Sequence, residues 1–314
     1  MTCCVVSMDR PAVSVVVPTR DRPEHLDRCL HSVRAAIAEH DELLVVDSAS
    51  RDAARVAEVA SRHGARLLRC DLPGVGRARN VGWRAAAHDP VLFTDDDVEV
   101  DPGWADALAR AVVEHADSAF VTGRIEVPPG EPFPRREVAL KRETEPSAFD
   151  RSSIGNLGHS ASLAVRREAL SLVGGFDEAL GAGGRFPAAP EMDLFDRLFA
   201  RGRHGRYEPA ALAFHAQWRD SHELVRLDYR YGVGNGARLS KLARSDRRRA
   251  ALVGRDALWE WGVLAAAPYV KARDRAMTLA VLARLAGTLA GFVRGLLVPL
   301  EDGHLRPRRS SSSS

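Results

Sequence analysis

Cysteine is scarce in this chain, and its spacing excludes several kinds of site. Four of the 314 residues are cysteine, at positions Cys3, Cys4, Cys29 and Cys70. They show none of the short paired spacings of zinc sites, and two of them are adjacent near the N-terminus. We therefore expect reduced thiols, which are typical of the cytoplasm.

An excess of charge of one sign is also missing. The formal net charge is +3, which is too small to indicate nucleic acid as a partner. The opening residues do not combine a charged stretch, an apolar core and a small-residue cleavage site, so we do not expect secretion. The predicted location is cytoplasmic.

No long apolar run is free of charge. Ala276 to Leu300 is apolar enough to resemble a spanning helix, but it contains Arg284 and Arg294. An arginine near the bilayer centre costs about 2.5 to 3.5 kcal/mol on insertion scales, so spanning is not expected. One apolar stripe at helical spacing is formed by Leu282, Leu285, Leu289, Phe292 and Leu296. We expect it to pack on the domain or on a second subunit, as a homodimer through 276–300; the alternative is peripheral contact with the inner face of a membrane.

The first half of the chain alternates strand-like and helix-like segments. Val13 to Val17, Leu43 to Val46 and Val91 to Phe93 are short apolar runs that predict buried strands, and helical spacing lies between them. Such repeats predict an α/β fold with a mostly parallel sheet flanked by helices. Beyond His215 the sequence predicts a helical, basic C-terminal extension. The predicted divisions are a tail at 1–12, a domain at 13–218, the extension at 219–305 and a disordered tail at 306–314.

Three consecutive aspartates, Asp95, Asp96 and Asp97, follow the predicted strand Val91 to Phe93. In α/β sheets the carboxyl ends of strands border the ligand crevice. Oxygen ligands suit Mg²⁺ or Mn²⁺, and a cation held there can bind a diphosphate. The alternative is a solvated acidic turn.

Other strand ends supply further candidates. Pro18, Thr19 and Arg20 follow the first strand, where backbone groups and a hydroxyl can meet a base or ribose. Asp47 follows the second; it can accept from hydroxyl or imide donors, or it can cap the turn that begins there.

The segment GVGRARNVG, from Gly74 to Gly82, lacks the third glycine of a dinucleotide fingerprint because Arg79 stands there. Two arginines at a helix start are well placed for phosphate oxygens. Arg79 is the better candidate, and Arg77 is expected at the surface.

Five segments in order resemble family two inverting glycosyltransferases, which have the GT-A (Rossmann-like) fold. They are VSVVVPTRDRPEHLDRCLHSV, LLVVDSASRD, GVGRARNVGW, VLFTDDDV and GGFDEALG, within roughly Val13 to His215. The resemblance implies metal-dependent transfer, with Mn²⁺ or Mg²⁺, of a sugar from a nucleotide diphosphate donor to an acceptor hydroxyl. It makes Asp95 and Asp97 the DxD motif, with Asp97 as metal ligand, Asp95 as ribose contact and further ligand, and Asp96 in support.

The resemblance extends to the metal and acceptor sides. His215 completes the metal site in some relatives, although a core or surface histidine would look the same. Gly175, Phe176 and Asp177 match the GGFDE segment that shapes the acceptor pocket; a helix cap followed by a buried Phe would explain the same residues.

The expected general base departs from the family pattern. Where relatives have Glu-Asp before a helix, this chain has Pro190 and Glu191, so Glu191 becomes the candidate base and Asp193 the reserve. Pro190 suits a first helical turn, whose dipole favours ionised Glu191. Glu191 could equally serve only to stabilise the helix start.

Several alternatives stay open at this stage. Ser48 replaces a frequent aspartate and leaves the donor nucleotide undefined, while the acceptor can be a glycan, a lipid-linked sugar or a small metabolite. Pro128 to Pro146 is predicted to be a mobile lid. The rival functions are a metal-dependent nucleotidyltransferase or phosphatase, and a sugar-nucleotide-binding or membrane-scaffold protein without turnover.

Overall fold

The computed structural model describes residues 10–131, 139–216, 221–259 and 265–306. In the first part, strands and helices alternate: β1 Ser14–Thr19, α1 Pro23–Ala36, β2 Glu42–Ser48, α2 Ala53–Arg62, β3 Arg66–Cys70, α3 Val75–Ala85 and β4 Val91–Phe93. There follow β5 Val98–Val100, α4 Trp104–Glu114, β6 Ser118–Glu126, β7 Ser147–Phe149, β8 Leu163–Val165, α5 Arg167–Val173, α6 Pro190–Ala200 and β9 His204–His215. The C-terminal part contains α7 Ser221–Ser245, α8 Arg247–Leu258, α9 Ala265–Lys271, α10 Arg275–Leu296 and the small pair β10 Leu300–Glu301 and β11 His304–Leu305.

The central sheet has the order β3-β2-β1-β4-β8-β6-β9-β5, with β7 beside β9. The pairs among β3, β2, β1 and β4 are parallel, and β8 and β5 run antiparallel to their neighbours. Ser14 lies opposite both Glu42 and Val91, so β1, β2 and β4 end at the same edge. The predicted α/β fold is confirmed, and the register brings Thr19 and the three aspartates together.

Helices cover both faces of the sheet, which explains the continuous apolar strands. In β1, Val15 and Val17 face the side covered by α1, α2 and α4. Val16, between them, faces the side covered by α3, α5 and α6. Because successive side chains of a strand point to opposite faces, only an unbroken apolar run can serve both cores.

The C-terminal helices are attached to this domain through buried ion pairs. Lys241 Nζ of α7 lies 2.5 Å from Asp177 Oδ2 and also pairs with Asp193. Asp196 of α6 pairs with Arg238 of α7 and Arg249 of α8 at 2.5 and 2.6 Å. The predicted helical extension is present and is joined to the domain that contains the sheet by charge as well as by apolar packing.

Helix α10 packs on α7 through glycines, and this corrects part of the expectation for its apolar stripe. A Cβ at Gly287 or Gly291 would collide with the backbone of α7, so the two helices are in close backbone contact. Leu282, Leu289 and Leu296 lie on the other side and are exposed, whereas Leu285 and Phe292 are half-buried, so only part of the stripe packs on the domain. By length and composition alone, α10 is the one described helix that could cross a membrane.

Some sequence predictions fall partly outside the described residues. Residues 1–9 and 307–314 of the predicted tails do so, as do 132–138 of the predicted lid and 217–220 around the predicted domain boundary. Cys29 and Cys70 are buried free thiols, whereas Cys3 and Cys4 also lie outside the described part. The cytoplasmic location stays a prediction.

Candidate active site

A cleft of about 820 Å³ opens at the carboxyl ends of β1 and β4, a volume typical of ligand sites. The sheet side of the cleft is lined by Pro18, Thr19, Arg20, Arg22, Ser48, Arg79, Asp95, Asp96, Asp97 and His215. The facing side is lined by His159, Pro190, Glu191, Leu227, Asp228, Arg230, Tyr231, Asn235 and Arg284, among others. The sheet edge, the start of α6 and the C-terminal helices thus enclose one site.

The three aspartates have different environments. Asp96 is buried and accepts a hydrogen bond of 2.7 Å from the Thr19 hydroxyl. Burial, followed by the neighbouring charge of Asp97, raises the pKa of Asp96 to about 7. Arg22 offsets part of this repulsion, because its Nη1 lies 3.0 Å from Asp97 and 3.4 Å from Asp96.

Asp97 and His215 form a pair that suits a divalent cation. His215 Nε2 lies 3.8 Å from Asp97 Oδ1, because β9 ends at His215 opposite Val98, the residue after Asp97. A carboxylate and an imidazole fit Mn²⁺, whose other ligands would be substrate oxygens and water.

The predicted ligand set of three residues is not assembled. Asp95 is ion-paired with Arg79 instead, and the described residues contain no cluster of three or more acidic, histidine or cysteine side chains suited to a metal. Of the three predicted ligands, the structure thus brings Asp97 and His215 together, while Asp95 is held by Arg79.

Arg79 is a buried cation in the second turn of α3. It is 2% exposed, pairs with Asp95, and its guanidinium lies 5.5 Å from the centre of the Phe176 ring. Within the part of the chain that the structure describes, its Nε and Nη1 have no hydrogen-bond partner. A buried guanidinium with spare donors is suited to an anionic ligand.

Glu191 faces the cleft from the first turn of α6, as its position after Pro190 predicted. Its side chain is 12% exposed, and Oε1 lies 3.8 Å from His159 Nδ1. Burial alone would raise the pKa of Glu191, but His159 and, more weakly, Arg79 lower it below its usual value. The carboxylate is therefore ionised at neutral pH, as a general base must be.

The sequence matches the glycosyl transferase family 2 model over residues 14–172, which is half of the chain. The chain is a family 2 glycosyltransferase. A pre-mycofactocin glycosyltransferase of Mycobacterium tuberculosis is 27% identical over 262 residues, which cover 79% of this chain and 52% of that protein. The glycosyltransferase described here thus spans about half the length of that relative.

Solved structures show the same fold. The mannosyltransferase PcManGT from Pyrobaculum calidifontis, in complex with GDP-Man and Mn²⁺, aligns with a TM-score of 0.59 at 20% identity over 92% of this chain and 88% of that one. S. aureus TarS 1–349 aligns at 0.51 and 15% identity over 96% and 97%. These likenesses confirm the GT-A fold of the glycosyltransferase.

Asp193, the reserve base predicted for this glycosyltransferase, does not face the cleft. It is 2% exposed and pairs with Lys241 and Arg197. Residues two apart on a helix point in different directions, so Glu191 and Asp193 cannot both reach the substrate. The structure therefore argues against Asp193 as a base.

The GGFDE segment of the glycosyltransferase is buried behind the cleft. Gly174 ends α5 with a φ of 74°, and Gly175, at 79°, packs against Trp83. Phe176 and Asp177 are fully buried, and Asp177 pairs with Lys241. The expectation that Gly175, Phe176 and Asp177 contact the acceptor is thus corrected. The structure agrees instead with the alternative, a helix cap followed by a buried Phe.

Pro18, Thr19 and Arg20 line the cleft of the glycosyltransferase, whereas Asp47 does not. Asp47 is buried, pairs with Arg69 and accepts a bond of 2.9 Å from the Ser50 amide. Asp47 thus caps the turn, which was the alternative. The structure gives no support for a contact between Asp47 and the nucleotide sugar.

Sequence reasoning missed several cleft residues of the glycosyltransferase. The sequence predicted no role for Arg22 or His159. The C-terminal helices also contribute Asp228, Tyr231 and Arg284 to the cleft. Arg284 lies 3.4 Å from Asp228. Its position inside an apolar run was a signal, because a charged residue there needs a polar partner.

Proposed function

We propose that the protein is an inverting, metal-dependent glycosyltransferase that transfers a sugar from a nucleotide diphosphate donor to an acceptor hydroxyl. The observation that carries this proposal is the arrangement of one cleft: carboxylates at the sheet edge, an ionised Glu191 on the facing wall, and buried Arg79 close enough to influence both.

The donor diphosphate is assigned to the sheet edge. Arg79 would donate hydrogen bonds to its oxygens from the nitrogens that lack partners, and Thr19 and Arg20 would contact the nucleoside. A diphosphate carries negative charge that grows as the sugar departs, and a preorganised guanidinium stabilises that charge without reorganisation.

Asp97 and His215, with Asp95 nearby, would hold the divalent cation. When bound, the cation neutralises charge on the leaving diphosphate. Mn²⁺ in the PcManGT complex supports this choice, and GDP-Man in the same complex supports a nucleotide diphosphate sugar as donor class.

Glu191 is assigned as the general base. The acceptor hydroxyl would donate its proton to Glu191 as its oxygen attacks the anomeric carbon and the bond from that carbon to the diphosphate oxygen breaks. A single displacement of this kind inverts the anomeric configuration and needs no covalent enzyme intermediate. Removing a positioned base costs typically 10² to 10⁴ in rate.

The test is nucleotide release from a panel of nucleotide sugars with Mn²⁺, for the wild type, Glu191→Gln and a matched Glu178→Gln. Glu178 pairs with Arg77 and does not line the cleft. We expect Glu191→Gln to bind donor normally but to lose at least about 10² in release rate, with Glu178→Gln near wild type. Full activity of Glu191→Gln would refute the assigned base, and donor binding without release by the wild type would favour a binding protein.

A further inference from the structure

The outer face of α10 carries six large apolar side chains that are between 44% and 80% exposed. This face, called the outer α10 face, consists of Leu279, Leu282, Leu289, Val293, Leu296 and Leu297. At ~100° per residue all six lie within about 60° of one line along the helix. The opposite side holds Gly287, Gly291 and Gly295, which pack on α7. The apolar residues therefore form a continuous strip directed away from the domain.

Positive charge borders this strip. Arg275 begins the same face, Arg294 flanks its far end, and Lys271 and Arg273 lie just before it; all four are exposed. Between 265 and 297 the only acidic residue in the sequence is Asp274, which accepts a hydrogen bond from the Met277 amide at the start of α10. The border of the strip thus carries no opposing negative charge from its own segment.

We propose that the outer α10 face docks on the surface of a membrane that contains anionic lipid. The helix lies in the plane of the interface, with its leucines in the boundary between headgroups and acyl chains and with Arg275 and Arg294 at lipid phosphates. Apolar area combined with cationic residues is the pattern of helices that bind in this way.

A spanning arrangement does not fit the other side of α10. Its glycines are in backbone contact with α7, and Arg284, in the middle of the helix, pairs with Asp228 at 3.4 Å. A spanning helix would expose this polar inner side to lipid, at a high cost for the charges. Lying in the interface leaves the inner side packed and covers only the outer one.

Charge also decides between a lipid surface and a second copy of the chain. If two copies paired antiparallel through this face, Arg275 would approach the copy's Arg294; if they paired in parallel, each arginine would approach its own equivalent. Both arrangements place like charges together, which is unfavourable. Anionic lipid instead complements them.

Vesicle sedimentation tests the proposal. The full chain is mixed with phosphatidylcholine vesicles with or without phosphatidylglycerol, at low and high salt. We expect the protein to sediment with the anionic vesicles. High salt should weaken this binding because dissolved ions screen the attraction between protein and lipid charges. Arg275→Ala and Arg294→Ala should each weaken vesicle binding by roughly fivefold. Equal binding to neutral vesicles, or no binding to either, would overturn the proposal.

The apolar strip is tested by the double variant Leu289→Glu/Val293→Glu against Val113→Glu, a change at an apolar residue of α4 that is 56% exposed. The double variant should lose vesicle binding and Val113→Glu should keep it; any other result rejects the proposed face. Sedimentation velocity tests the rival proposal that a second copy of the chain binds the strip. A wild-type dimer that becomes a monomer in the double variant would support that rival. Nucleotide release without vesicles reports the catalytic proposal separately.

Discussion

His159 lies 3.8 Å from Glu191, with its Nδ1 directed at the carboxylate oxygen Oε1. The two residues come from different parts of the chain, a loop after β7 and the first turn of α6. Their proximity lowers the pKa of Glu191 against the opposing effect of burial. This places a histidine next to the proposed base, in a position to set its charge.

The first prediction concerns the pH dependence of catalysis. Without His159, the interaction that lowers the pKa of Glu191 is lost, so Glu191 becomes protonated at a higher pH. Because the base must be deprotonated, the acidic limb of kcat/KM for nucleotide release should move to higher pH in His159→Ala. His31→Ala, on the exposed side of α1, should leave the limb in place. An unchanged limb in His159→Ala would separate His159 from the base.

The second prediction concerns the cation. Asp97→Asn should lose Mn²⁺-stimulated donor binding in calorimetry, because the amide removes a charged oxygen ligand beside His215. Glu99→Gln makes the same chemical change two residues later, at an exposed side chain of β5, and should bind as the wild type does. If both variants respond to Mn²⁺ equally, Asp97 is not a ligand.

The third prediction concerns stability and its pH dependence. Lys241→Met leaves Asp177 and Asp193 buried without their cation, which should lower the free energy of unfolding by roughly 3 to 5 kcal/mol at neutral pH. Lys271→Met, at an exposed lysine, should change it by less than about 0.5 kcal/mol. Urea titration followed by circular dichroism measures both.

The pH dependence of this stability in acid is expected to come from Asp193. Burial raises its pKa, but Lys241 and Arg197 together bring it below the usual 3.8. A carboxylate whose pKa is lower in the folded than in the unfolded protein stabilises the fold at pH values above its unfolded pKa. This stabilisation is lost as the pH falls through the pKa of the folded protein. The difference between wild type and Lys241→Met should therefore shrink below about pH 4. A constant difference down to pH 2 would contradict this origin.

The fourth prediction concerns the contact between α7 and α10. A Cβ at Gly291 would meet the Val233 carbonyl oxygen, which is backbone and cannot move aside. Gly291→Ala should destabilise the protein by about 1 to 3 kcal/mol through overpacking. Gly254→Ala is the matched change in α8, where the nearest atoms are 3.8 Å away, and it should be neutral or stabilising. Similar melting temperatures for the two variants would show that the helices do not meet closely.

Much of the fold could be predicted from the sequence because the signals are local. The unbroken apolar run of β1 indicates a strand buried on both faces, and the three aspartates after β4 indicate a ligand edge. Pro190 indicates the start of α6 and therefore the placement of Glu191 in its first turn. Each inference needs only neighbouring residues and the geometry of one element.

The roles of single polar residues could not be predicted in the same way. Asp193 is as acidic as Glu191 and lies two positions away, but Lys241, 48 positions further along the sequence, neutralises it. Asp177 and Asp47 also resemble ligands in sequence and are held by distant cations or by turn amides. Which carboxylate stays available depends on contacts that no local pattern contains.

The amino-acid sequence by itself determined the alternation of strands and helices, the edge at which the aspartates gather and the family. The tertiary structure alone decided that Glu191 rather than Asp193 faces the cleft, and that α10 packs by its glycines and leaves most of its leucines exposed. The reason is physical: periodicity fixes which residues share a side of an element, whereas the partner that approaches that side is set by the packing of segments far apart in the chain.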